Sequence, residues 1–110
     1  MGDWKDEIAG EERVDSPVHP GEVLGQEWLE PIGMNPNQLA KALGVDRQSI
    51  YEIVAGERSI SADMALRLAR WSGMRPAFWL GLQADHDLRV AEWRRGPEIA
   101  EQVEPLTRTG

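Results

Sequence analysis

Gln38-Leu39-Ala40-Lys41-Ala42-Leu43-Gly44-Val45-Asp46-Arg47-Gln48-Ser49-Ile50 is the stretch that decides the fold of this chain. Leu39, Ala40 and Leu43 recur at the spacing of one helix face, and Gly44 follows as a residue able to take the left-handed conformation that ends a helix. Upstream, Asn35-Pro36-Asn37-Gln38 reads as a helix start: Asn35 caps, Pro36 suits the first helical position, and Gln38 stands where a capping box wants Glu or Gln. Downstream, Val45 fills the turn and Asp46 caps a second helix from Arg47 to Ala55. Its buried face is Ile50, Ile53 and Val54, and its stop is Gly56. The spacing predicts two short helices joined by a three-residue turn over about residues 36–56, with small Ala40 where they approach.

On either side the helical pattern continues. From Pro20, the apolar residues Val23, Leu24, Trp28 and Leu29 make one face until Pro31 and Gly33 stop it. Ser61 opens a helix with Met64, Ala65, Leu68 and Ala69 inward and Gly73 at its end. Pro76 opens another, carrying Phe78, Trp79 and Leu82 and running through Leu88 and Val90 towards Trp93, with a break expected at Arg94-Arg95-Gly96-Pro97. The weak apolar alternation of Ile99, Val103 and Leu106 fits either a short helix or an extended segment. The expectation is an all-α, five-helix domain over residues 17–95 with a C-terminal tail over 96–110. Residues 1–16, acidic and without periodicity apart from the odd Trp4, read as a flexible arm.

Composition narrows the chemistry. A chain of 110 residues suits one core, and cysteine is absent, which removes disulfides, thiolate metal sites and a cysteine nucleophile. The acidic N-terminus has no apolar run, so neither a secretory signal nor a membrane span is expected, and a cytoplasmic location fits. There is no nucleophile motif and no glycine-rich phosphate loop, so no enzyme and no cofactor are expected. His19 and Glu22 lie one turn apart, but two histidines are too few for a convincing metal site, and a cap or surface role is the better reading.

The net charge of -7 argues at first against nucleic acid. Its distribution reverses that. Residues 1–33 hold nine acids against Lys5 and Arg13, which accounts for the whole excess; residues 34–60 and 61–110 are each neutral. A local basic face therefore remains possible, but a strongly basic protein is excluded. In a helix-turn-helix the first turn of the second helix is free to enter the major groove. Here that turn presents Arg47 and Gln48, with Glu52 one turn on. Arg suits guanine O6 and N7, Gln suits adenine N6 and N7, and Glu can accept from cytosine N4. Phosphate contacts are expected from the amides opening the first of the two helices, from Asn37 and Ser49, and from Arg58 beyond the second. With so few cations, a dimer reading two half-sites is needed to accumulate affinity. The bland alternative is a helical hairpin with solvated Arg, Gln and Glu.

Four blocks favour the functional reading. They are His19-Pro20-Gly21-Glu22, the Gln38–Ile50 stretch, Ile60-Ser61-Ala62-Asp63-Met64-Ala65-Leu66-Arg67-Leu68-Ala69, and Phe78-Trp79-Leu80-Gly81-Leu82-Gln83 followed by Asp87-Leu88. Together they cover about seventy residues and resemble the HigA family of antitoxins, small members of the Xre and lambda-repressor-like class. The first and last blocks are specific to that family, whereas the middle two are shared with many repressors.

The resemblance implies a lambda-repressor-like fold and a protein that neutralises a small, basic ribonuclease toxin of the RelE fold. It also implies a homodimer that binds operator DNA to repress its own operon. A stand-alone repressor without a toxin partner is the alternative, as is a helical protein-binding module that has lost DNA binding. Pro36 stands where many repressors carry a phosphate-holding glutamine, Ala55-Gly56 where relatives have Asn-Gly, and His86 where a tyrosine is frequent. Trp79 is expected in the core and at a dimer interface, with Trp93 at its edge. The acidic arm and first helix are expected to attract the cationic toxin and speed its association, an effect that salt weakens.

Overall fold

A computed structural model of the chain describes residues 18–107, in which every helix but the last starts on a side chain that takes up an orphan amide. Helix α1 runs without interruption through Pro20–Val23, a π-helical stretch Leu24–Leu29, and Glu30–Ile32. Its cap is His19, whose Nδ1 accepts from the Gly21 amide at 2.9 Å. In α2, Pro36–Leu43, the capping box is complete: Asn35 Oδ1 accepts from the Gln38 amide at 2.8 Å and Gln38 Oε1 from the Asn35 amide at 2.9 Å. Asp46 caps α3, Arg47–Val54, and Ser61 caps α4, Ala62–Ser72. Helix α5, Pro76–Gln102, has proline at its first position. The fold is all-α, and the described residues contain no strand.

Pro31 does not stop α1 as the sequence suggested. A proline in a helix lacks the amide and crowds the carbonyl four residues back. Just upstream the turn is widened, with the Glu30 amide bonding the Gly25 carbonyl five residues back, and this π geometry gives the ring room. Gly33 ends the helix instead, at φ 67°.

The core gathers Leu24 and Leu29 from α1, Leu39, Ala40 and Leu43 from α2, Ile50, Ile53 and Val54 from α3, and Met64, Ala65 and Leu68 from α4. Trp79 of α5 closes it. Its ring lies 5.5 Å from Trp28 and 5.0 Å from Phe78, Trp28 in turn lies 6.1 Å from Trp71, and its indole N–H donates to Ser72 Oγ at 3.2 Å. Trp79 has no exposed surface, so within one protomer it has nothing to offer a partner. The dimer-interface role expected for it has no surface to act through, because α1 and α4 already cover the indole, whereas its place in the core is as expected.

Helix α5 also departs from expectation. It passes through Gly96 and Pro97 and ends only at Gln102, so Ile99 lies in helix and the tail is partly helical. Ion pairs and hydrogen bonds a turn apart line this half, Arg89 to Asp85 at 3.0 Å, Arg95 to Glu98 at 3.4 Å and Gln102 to Glu98 at 3.3 Å. Exposed to water, the carbonyl that Pro97 leaves unpaired is solvated at little cost. The helix projects from the bundle and stretches the molecule to 63 × 31 × 22 Å. Even so, no described helix is long and apolar enough to cross a membrane. The acidic arm and Trp4 lie outside the described residues.

A close backbone contact joins α1 to α3. A Cβ on Gly21 would lie 1.7 Å from the Ile53 carbonyl oxygen and 3.0 Å from the Val54 Cα, so only glycine permits this backbone approach. Gly21→Ala is expected to destabilise the fold by at least about 3 kcal/mol, at the upper end of overpacking costs. Gly81→Ala, where the added methyl meets nothing within 4 Å, is the control. It should be neutral or stabilising by up to about 1 kcal/mol in urea unfolding, as expected for Gly to Ala inside a helix.

Candidate nucleic-acid interface

The turn between α2 and α3 is closed by local chemistry. Gly44 sits at φ 72°, its amide bonds the Lys41 carbonyl at 3.3 Å, and the Val45 amide bonds the Ala40 carbonyl at 3.0 Å, the pattern of a Schellman motif. Arg67 of α4 adds a restraint from outside: its guanidinium donates to the Leu43 carbonyl at 2.8 Å while pairing with Asp63 at 2.7 Å. Sequence reasoning gave Arg67 no such role. Its only signal was the Asp63–Arg67 spacing of one helical turn.

Asp46 then opens α3, accepting from the Ser49 amide at 2.7 Å. That amide bond, followed by the Ser49 hydroxyl, holds the Asp46 carboxyl below its usual range; Arg58 adds attraction and desolvation opposes. Ser49 is only 9% exposed and spends its polar groups on Asp46, which leaves the phosphate contact expected of it little surface. Asn37 is exposed in the first turn of α2.

Arg47 and Gln48 lie exposed in the first turn of α3, and the Arg47 side chain forms no ion pair with any described residue. Gln48 Nε2 donates to Glu52 Oε2 at 2.9 Å. Beyond the helix, a second Schellman turn at Gly56, φ 80°, carries the Glu57 amide back to the Glu52 carbonyl at 2.8 Å. It returns the chain so that Arg58 reaches Glu52 Oε1 through Nε at 2.8 Å and Nη2 at 2.7 Å. The structure thus brings Gln48, Glu52 and Arg58 into one chain of contacts. Gln48, then Arg58, hold the Glu52 carboxyl below its usual range, while desolvation and Asp46 oppose them.

Gln83 is a second residue whose role was missed. It is buried on α5, accepts from the Ile60 amide at 2.8 Å and donates to Asp87 at 2.8 Å, fastening the segment that follows Arg58. A polar residue on the core-facing stripe of α5 was the available signal. His19 spends Nδ1 on its cap and packs edge-on against His86, ring centres 4.8 Å apart. No group of three or more candidate metal ligands occurs among the described residues.

A helix capped at both ends, braced from behind and bare along its first turn, defines a helix-turn-helix protein. The helix-turn-helix family model matches residues 26–70. The chain is 48% identical over 75 residues to virulence-associated protein I of Dichelobacter nodosus, covering 68% of this chain and 69% of that protein. It is 39% identical to antitoxin HigA-1 of Vibrio cholerae, covering 82% and 84%. The solved structure of the Pseudomonas aeruginosa antitoxin HigA with the higBA promoter superposes with a TM-score of 0.81 at 41% identity, covering 83% of this chain and 99% of that one. The chain belongs to the HigA family of helix-turn-helix antitoxins, whose members are DNA-binding regulators and not enzymes.

The depressed Asp46 carboxyl makes the α3 cap pH-dependent. A folded-state value below the unfolded one means that the cap stabilises above the ordinary aspartate range and is lost as the pH falls through the lower folded value. Asp46→Ala should therefore lower the melting temperature at pH 7. The gap to wild type should close on acidification, as read by thermal melts across pH.

Proposed function

We propose that this protein binds operator DNA through the first turn of α3, acting as a homodimer that represses its own operon, and that it neutralises a small, basic ribonuclease toxin of the RelE fold. One observation carries the DNA reading: Arg47 and Gln48 stand exposed at the start of a helix whose inner face, Ile50, Ile53 and Val54, is buried in the core. The promoter bound by the Pseudomonas relative supports it. The antitoxin names of the relatives support the toxin partner, and the excess of acid in residues 1–33 suits a cationic one.

A second copy fits the outer half of α5. Trp79, Gln83, His86 and Val90 form the stripe that faces the bundle, and the same helical spacing continues beyond it through Trp93, Pro97 and Ala100. Trp93 is 63% exposed there. Arg89, Arg94 and Arg95 outnumber Glu92 before the midpoint of this segment and Glu98 and Glu101 follow it, so an antiparallel self-pairing sets a net basic end against an acidic one. Such a dimer joins two reading helices and offsets the few cations on each.

A gel-shift assay with the DNA upstream of the gene tests the proposal. Wild type should give a specific shift. Arg47→Ala should weaken it tenfold to a hundredfold, on the order of the 1–3 kcal/mol that a bidentate base contact supplies. Trp93→Glu should yield a monomer in sedimentation and lose the shift at the wild-type concentration. Equal shifts by all three proteins contradict the reading face and the dimer together.

A further inference from the structure

Glu52 was expected to accept a hydrogen bond from a base, but three of the roughly four acceptor sites of its carboxylate are already taken. Oε2 takes one Gln48 amide hydrogen at 2.9 Å, and Oε1 takes two from Arg58, at 2.8 and 2.7 Å. The carboxylate side chain is only 28% exposed, whereas the Arg58 side chain is 49% exposed and lies at the end of the chain of contacts.

Each bond has a consequence for DNA. An amide has a donor end and an acceptor end, and reading adenine requires both in the right order. Holding Gln48 Nε2 by one hydrogen fixes that order, leaving the second hydrogen and the carbonyl oxygen for the base. Arg58, meanwhile, is a cation beside the reading helix whose charge is cancelled by the carboxylate it grips. A free guanidinium there adds a phosphate contact that every sequence offers equally. A carboxylate facing the phosphates removes that gain and adds repulsion.

We propose that Glu52 is the specificity-determining residue of this face: it reads no base, but orients Gln48 and neutralises Arg58, so that binding depends on bases satisfying Arg47 and Gln48 rather than on phosphate attraction. This rests on the DNA-binding reading above. The neutral balance of residues 34–60, three bases against three acids, is then a functional property of the reading face. Asp46, at the head of the same helix, feels Arg58 as well, and reinforces the local cancellation.

The experiment compares wild type, Glu52→Gln, Arg58→Ala and the double variant. Each is titrated with a duplex from upstream of the gene and with a scrambled duplex of equal length and composition, from 50 to 200 mM salt. Circular dichroism confirms that each protein is folded. Glu52→Gln is expected to bind the scrambled duplex severalfold more tightly, with the slope of log affinity against log salt steeper by about 0.9, the value of one added phosphate contact. The ratio between upstream and scrambled affinities should fall accordingly. The double variant should return to the wild-type slope, because the gain acts through Arg58. If Glu52→Gln loses affinity only for the upstream duplex, with scrambled binding and slope unchanged, Glu52 reads a base and the inference is overturned. If no protein binds either duplex, the DNA-binding reading falls and this inference falls with it.

Discussion

The arrangement depends on the backbone of Gly21 lying against the Ile53 carbonyl, a contact that leaves no room for a side chain. It sets the N-terminus of α1 at the C-terminal end of α3, where the positive end of one helix dipole meets the negative end of the other. The rear of the reading helix is thereby fixed to the first helix of the bundle. Its front is fixed by the Asp46 cap and by the turn that Arg67 braces from α4. Ile50 and Ile53 bury its inner face completely. The first turn, with Arg47 and Gln48, is left exposed, and in the proposed DNA complex it would be in place before the duplex arrives. Preorganisation of this kind saves the ordering cost that a mobile reading helix would bear.

Charge is used sparingly in this protein. The acidic excess lies wholly within residues 1–33, residues 34–60 are neutral, and within them Arg58 is paired with Glu52. Discrimination by bonds to bases and affinity through self-association suit such a face better than phosphate attraction. The projecting half of α5, with its exposed Trp93 and its opposed basic and acidic ends, supplies a surface of the right character for that self-association. The stripe is continuous with the one that buries Trp79, so under the proposed dimer one helix would serve the core and then the partner.

Much of this was legible in the residues because helix ends are local. Asn35 with Gln38, Asp46 with Ser49, Ser61 with Met64, and the stops at Gly44, Gly56 and Gly73 all act within a few residues, and each stands where the pattern placed it. What was not legible is what depends on distant neighbours or on solvent. Pro31 and Pro97 read as breaks, yet one is accommodated by a widened turn upstream and the other by water and flanking side-chain pairs. Gly21 reads as part of a motif, but its reason is a carbonyl more than thirty residues away. Gln48 and Glu52 could be placed on one face from spacing; that Arg58 would turn back and occupy the carboxylate required the fold.

The most direct measurement of the central claim is a titration of the isotopically labelled protein with the duplex from upstream of its gene, following backbone amide shifts residue by residue. The largest changes are predicted at residues 46–52, at Asn37 and around Arg58, with the buried face of α3 moving little. Changes concentrated instead on the outer half of α5, with the first turn of α3 unperturbed, would contradict the account.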